Sequence, residues 1–172
     1  MRCDDVGALL DRYGEAAWYF ARWRERSISL GLPSIEVPSI SATGEFVYTA
    51  QNLTMGVVIA GDLFSHLTVE RGRRFVADQF SRFDDAAKLL LKSEGEQVRS
   101  YLKLPRKYFD WKAMGVHPAV SVDETGHSAV LTLRDDRSVW CRVPALDQAA
   151  TSQIMMLSLA ELDAQLTEGM RL

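Results

Sequence analysis

From Asp4 the apolar residues fall at Val6, Leu9, Leu10 and Tyr13, the i, i+3, i+4, i+7 spacing of one helix face, so 4–13 is expected to be helical. Ala17 and Phe20 continue the spacing, but Gly14 interrupts it. The run Ala16-Ala17-Trp18-Tyr19-Phe20-Ala21-Arg22-Trp23-Arg24 is aromatic enough to suit a strand, which leaves 15–24 open between the two. Gly31 to Glu45 reads as a long loop, because Pro33 and Pro38 forbid both a helix and a central strand. Loops of that length in compact domains are often functional.

The middle of the chain alternates. Phe46 and Tyr48, then Leu53, Met55, Val57 and Ile59, then Leu67 and Val69 follow a period of two, punctuated by Gly61-Asp62 and by the turn Glu70-Arg71-Gly72-Arg73. Arg74 to Phe80 suits one more strand. Ser81 and Asp84 have the spacing of a capping box at the start of a helical stripe, Phe83, Ala86, Ala87, Leu90 and Leu91. Gly95 is expected to bend or break that helix before Val98 and Tyr101. Beyond Pro105 a basic, aromatic linker leads to three short strands. They are marked by Val116, Val120 and Val122, by Ala129, Leu131 and Leu133, and by Val139, Cys141 and Val143. Turns are expected at Asp123-Glu124-Thr125-Gly126 and Arg134-Asp135-Asp136-Arg137, and Pro144 stops the meander. Leu146 to Leu166 then reads as one helix. The order predicts an α+β fold, antiparallel sheet with N-terminal, central and C-terminal helices packed on it, as a single domain over residues 1–172.

Composition narrows the class. The 172 residues are 47% hydrophobic and 25% charged, which excludes collagen, long disordered tails and disulfide-dense scaffolds. A chain of this size buries roughly 70% of its unfolded surface and needs no metal or disulfide to hold its core. Cys3 and Cys141 lie far apart in sequence, and two reduced thiols are expected. A net charge of −3 argues against a nucleic-acid partner. The longest apolar run, Met55 to Ala60, is far short of the ~20 residues that cross a bilayer. Acids stand at Asp4 and Asp5 where a signal peptide has an apolar stretch, so the cytoplasm is the expected location. Arginine outnumbers lysine 15 to 5, a weak sign of a GC-rich genome.

Catalytic motifs are absent: the chain has no GxSxG, HExxH, P-loop or GxGxxG. His66, His117 and His127 stand without paired ligands and are expected to be surface or edge residues. Asp84-Asp85 and Asp135-Asp136 are adjacent and do not face one another, so they suit a helix start and a turn. Two segments are candidates for partner binding. Within the long loop, Ser39, Ser41, Thr43 and Gly44 form a small, uncharged tip that fits a narrow cleft. In the linker, Arg106, Lys107, Tyr108, Phe109 and Trp111 combine the aromatic and arginine side chains enriched at protein interfaces.

The strings Leu67-Thr68-Val69-Glu70-Arg71-Gly72-Arg73, Phe83-Asp84-Asp85, Val98-Arg99-Ser100-Tyr101-Leu102-Lys103-Leu104-Pro105 and Met156-Leu157-Ser158-Leu159-Ala160-Glu161-Leu162 occur in an order of elements that resembles a family of small actinobacterial immunity proteins, inhibitors of polymorphic toxins. The resemblance implies a cytoplasmic antitoxin without catalytic residues, cofactor or metal. It implies a 1:1 complex with a cognate secreted NAD glycohydrolase toxin domain whose NAD site is blocked, and neither nucleic acid nor membrane as partner. Of the two candidate segments, insertion of 39–44 is slightly favoured over capping of the rim by 106–112, because an uncharged tip loses less solvation on burial. The alternative is a small ligand-binding or enzymatic α+β domain that uses His117 or His127 with Asp123 or Glu124.

Overall fold

The structure, a computed structural model, describes residues 3–32, 39–41, 45–50 and 53–170. Helix α1 (Cys3–Ser29) leads through strands β1 (Ser39–Ile40), β2 (Phe46–Ala50), β3 (Leu53–Ala60), β4 (Leu63–Glu70) and β5 (Arg73–Phe80) to helices α2 (Phe83–Tyr101) and α3 (Lys107–Ala113). Strands β6 (Val120–Thr125), β7 (Ser128–Leu133) and β8 (Trp140–Pro144), a 3-10 turn (Ala145–Asp147) and helices α4 (Gln148–Met155) and α5 (Leu159–Thr167) complete the α+β fold. All paired strands are antiparallel, in one sheet of order β1-β2-β3-β4-β5-β8-β7-β6. The two meanders thus meet at β5 and β8.

One sheet face carries the core. Phe46 lies opposite Val57, Phe64 opposite Phe80, and Cys141 between Phe80 and Leu131. All of these are buried beneath the helices. Val58 and Leu67, one residue out of phase, are buried on the opposite face. The open question at 15–24 resolves as helix, because Tyr13, Ala16, Phe20, Trp23 and Ser27 are all buried at three- and four-residue spacing. Trp18, one of the aromatics that made a strand plausible, faces solvent and stacks with Arg22, whose guanidinium lies 4.6 Å from the ring. Gly14 is exposed and is accommodated without a break.

Helix α2 is the axis of the molecule, and its buried charges close the ends of its neighbours. Lys88 donates to the Met155 carbonyl at the end of α4 (3.1 Å) and pairs with Asp85 (3.1 Å). Arg99 donates to the carbonyls of Pro105, Leu166 and Glu168, each at 2.8 Å, covering the C-terminus of α5. Both place a cation against the negative end of a helix dipole. The break expected at Gly95 does not occur: the helix is continuous from Phe83 to Tyr101, and glycine is required because the Leu166 side chain of α5 packs directly over it.

Two further expectations are corrected. Ser81 does not cap α2, whose N-cap position is Arg82. The Ser81 hydroxyl instead accepts the Trp140 N–H at 2.8 Å and ties β8 to the end of β5. The reading of Leu146 to Leu166 as one helix fails at Ser158, where a reciprocal capping box with Glu161 starts α5 afresh. No described helix is long and apolar enough to cross a membrane.

Candidate functional site

The basic, aromatic stretch after Pro105 is not a linker. It is the short helix α3, opened by Arg106 in an extended conformation. Helical geometry sorts its side chains. Trp111 turns inward, only 3% exposed, and its indole N–H donates to Gln165 Oε1 of α5 at 2.6 Å. Lys107 is tied down by Glu168 (2.5 Å) and Asp110 (3.3 Å). Tyr108 is half-buried. Its backbone N–H donates to Glu96 Oε1 (2.9 Å) and its hydroxyl donates to Asp147 Oδ1 (2.7 Å). Desolvation, together with the Asp147 carboxylate, pushes the phenol pKa up to about 12, so it stays a donor at neutral pH. Phe109 and Arg106 face solvent, with Phe109 61% exposed.

Beside α3 runs an open groove of about 460 Å³. Its floor is a strip of α2 at helical spacing: Lys92, Glu96 and Ser100 in one row, Ser93, Gln97 and Tyr101 in the next. Arg106 and Tyr108 form the opposite wall. The ammonium groups of Lys92 and Lys112 lie 5.5 and 5.6 Å from the Tyr108 ring centroid, within cation–π range. Glu96 Oε2 is buried and has no hydrogen-bond partner among the described residues, while its other oxygen holds the α3 backbone. Past Lys92, Ser93 and Tyr108 the groove narrows into a small recess that reaches His66, Asp78 and Asp147.

His66 departs from the expected surface histidine. It is largely buried, with Nδ1 3.1 Å from Asp78 Oδ2 and Nε2 2.9 Å from the Ala86 carbonyl oxygen. That second contact joins β4 to α2. Cys141 is a free, buried thiol whose pKa is raised by burial, which makes it unreactive. The Cys3 side chain lies outside the described residues.

The other predicted residues are dispersed. Ser39 belongs to the two-residue edge strand β1, opposite Val47, and the Ser41 N–H donates to the Glu45 carbonyl at 2.8 Å. Thr43 and Gly44 lie outside the described residues. The sheet order puts β1 at one edge, and neither Ser39 nor Ser41 lines the groove beside α3 or its recess. The alternative set is not gathered either. His127, Asp123 and Glu124 are exposed around the β6–β7 turn, where Glu124 bonds Gln148. His117 accepts the Ala119 N–H at 3.2 Å in a turn of its own. Among the described residues, no group of three or more His, Cys, Asp or Glu side chains is placed to hold a metal ion.

The fold is shared with a mycobacterial protein. The solved structure of Rv3902c from M. tuberculosis superposes with a TM-score of 0.65 over 90% of this chain and 87% of that one, at 11% sequence identity. At that identity the likeness concerns architecture alone. No family model and no curated protein matches the sequence.

What the site can do follows from its shape and lining. It is an open groove with exposed Tyr101 in its lining and exposed Phe109 next to its wall residue Tyr108; Leu146, whose carbonyl accepts from Tyr108, and Met114, at the end of α3, are exposed apolar side chains too. Cations interleave with them at Arg106, Lys112 and Lys103, all exposed. Flat apolar rings beside arginine suit a protein surface better than a small molecule, which needs an enclosing cavity. Lys92, Gln97 and Ser100 escaped the sequence reading. Their signal was present as polar positions at three- and five-residue spacing, but such a set is also the ordinary solvent face of any helix.

Proposed function

We propose that this chain is an immunity protein: a stoichiometric inhibitor that works in the cytoplasm of the producing cell by binding a cognate secreted NAD glycohydrolase toxin domain 1:1 and covering its NAD site. The observation that carries the reading is the exposed aromatic and cationic rim of α3 beside the α2 groove. The architecture shared with a mycobacterial protein and the order of the quoted strings support it. The strings fall on the β4–β5 hairpin, the start of α2, its end, and the junction of α4 with α5. In this reading Phe109 and Arg106 are the anchors, within an interface of about 1,600 Å². Trp111 acts from beneath, as the side chain that fixes α3 on α5.

Co-expression with the toxin domain tests the proposal. Cells carrying the wild-type chain should survive. Phe109→Ala, at an exposed site, should fold normally yet lose about 30-fold in affinity, the value of a strong anchor. Death of cells that contain abundant soluble wild-type protein would end the reading. If Gly44→Trp abolishes protection and Phe109→Ala does not, the 39–44 tip makes the contact in place of α3.

A further inference from the structure

The strand ladder between the two meanders is short and is extended, at the Phe80 end alone, by the bonds between Ser81 and Trp140. Strands β5 and β8 pair only at Gln79 with Arg142 and at Phe80 with Cys141. Continuing that register would set Asp78 against Val143 and Ala77 against Pro144. Both positions are blocked. Asp78 is the extra residue of a β-bulge, with a φ of +36°, and its carboxylate is held by His66. Pro144 has no N–H to give. The sheet therefore forks, and an open cleft of about 430 Å³ lies between Val76–Gln79 on one side and Arg142–Pro144 on the other.

From Arg73 to Ala77, β5 is paired with β4 alone. The two-residue turn Arg71-Gly72, both at positive φ, makes Glu70 and Arg73 a hydrogen-bonded pair. Alternation along the ladder then leaves the N–H and C=O of Arg74 and Val76 directed outward, toward the cleft. Side chains beside this edge are not those of a sealed one. Phe75 and Val76, on opposite faces of the strand, are each more than half exposed. The charge is local and positive. Arg71, Arg73 and Arg142 are exposed with no ion pair among the described residues, on a chain whose net charge is −3. A second copy pairing edge to edge would bring two such arginine-rich hairpins together.

We propose that the fork is a docking site for an extended, acidic segment of another protein, which adds as a strand to the free edge of β5 and carries carboxylates on both of its faces, one meeting Arg73 on the helix side of the sheet and one meeting Arg142 on the other. Strand addition takes its affinity from the main-chain bonds and its selectivity from the side chains that flank the edge. The site is built from different elements than the α3 rim and does not depend on the toxin reading.

The test uses two capped heptapeptides on the full chain, Val-Glu-Glu-Val-Glu-Glu-Val and Val-Lys-Lys-Val-Lys-Lys-Val, each with charges on both faces of an extended strand. Binding is followed by amide hydrogen exchange and calorimetry. The Glu peptide should slow exchange at Arg74 and Val76 by about tenfold, and the Lys peptide should not. Val76→Pro, which removes an outward N–H from an edge strand, should abolish binding while the melting temperature holds. Arg73→Glu with Arg142→Glu should invert the preference toward the Lys peptide, a readout that does not depend on the proline variant folding. The proposal is overturned if neither peptide binds, if both bind alike, or if charge reversal leaves the preference unchanged. It is equally overturned if Arg74 and Val76 become protected with rising protein concentration in the absence of peptide, which would make the occupant a second copy.

Discussion

Replacing Gly95 by alanine separates helix propensity from packing. In an exposed helix the change stabilises by about 1 kcal/mol. Here the new Cβ would lie 2.7 and 2.8 Å from the two Leu166 methyl carbons and 3.0 Å from its Cγ. Carbon atoms rest at about 3.5–4.0 Å, so all three contacts are overlaps. Rotating the Leu166 isopropyl group moves the methyls but leaves Cγ in place, and the residue is fully buried with no space to retreat into. Overpacking of this kind costs about 1–3 kcal/mol, and the tight geometry points to the upper end. Set against the propensity gain, the net loss should be about 2 kcal/mol, or a fall in Tm of about 4–8 °C for a chain of this length. Urea denaturation followed by circular dichroism measures it. The decisive comparison is the same substitution in a Leu166→Ala background. There the overlap is gone and Gly95→Ala should stabilise, giving a coupling of about 3 kcal/mol. If Gly95→Ala raises the stability of the otherwise wild-type protein, or if the coupling is below about 0.5 kcal/mol, the close crossing of α2 and α5 is refuted.

The α3 rim and the sheet fork carry the binding predictions stated above, and the scaffold yields two more. Arg99→Met deletes charge-assisted bonds to three carbonyl oxygens at the end of α5 and after α2, and should cost about 3 kcal/mol or more in urea denaturation. Burial pushes the Glu94 carboxyl above its ordinary value, opposed in part by the Tyr48 hydroxyl that donates to it at 2.9 Å. The folded chain then binds this proton more tightly than the unfolded one. The resulting contribution to stability is full at acid pH and is lost as pH rises from the ordinary carboxylate value through the raised one. Glu94→Gln, which retains an acceptor for Tyr48, should flatten the stability profile across that window in a series of denaturation curves.

The candidate site was legible in composition and illegible in orientation. The interface-type residues at 106–111 do stand at the groove, but which of them reach solvent depends on the stretch being helical. Tyr108 and Trp111 are three apart and share the inward side, and Arg106 and Phe109 share the outward one. Pro105 and the clustered aromatics hid that helix, because a seven-residue segment stands by docking on α4 and α5 and not by its own propensity. The groove floor was hidden for a different reason, since Lys92, Gln97 and Ser100 gain meaning only from the wall placed opposite them.

The sequence by itself determined the elements whose hydrophobic period is sustained. Residues from Phe46 to Val69 and from Val120 to Val143 alternate because each strand has one face on the core, and the stripe from Phe83 onward marks the helix that covers them. Glycine at Gly61 and Gly72 and proline at Pro144 set the strand ends, since backbone conformation and the lack of an N–H are local properties. Tertiary structure decided everything that needed a distant partner. It set 15–24 as helix through burial of Phe20 and Trp23, and carried α2 unbroken through Gly95 beneath Leu166. It also withdrew Ser81 from its cap to bond Trp140, and opened the sheet where Asp78 and Pro144 would have met it. Local patterns report which side of an element is apolar. What that side meets is settled only when the chain closes on itself.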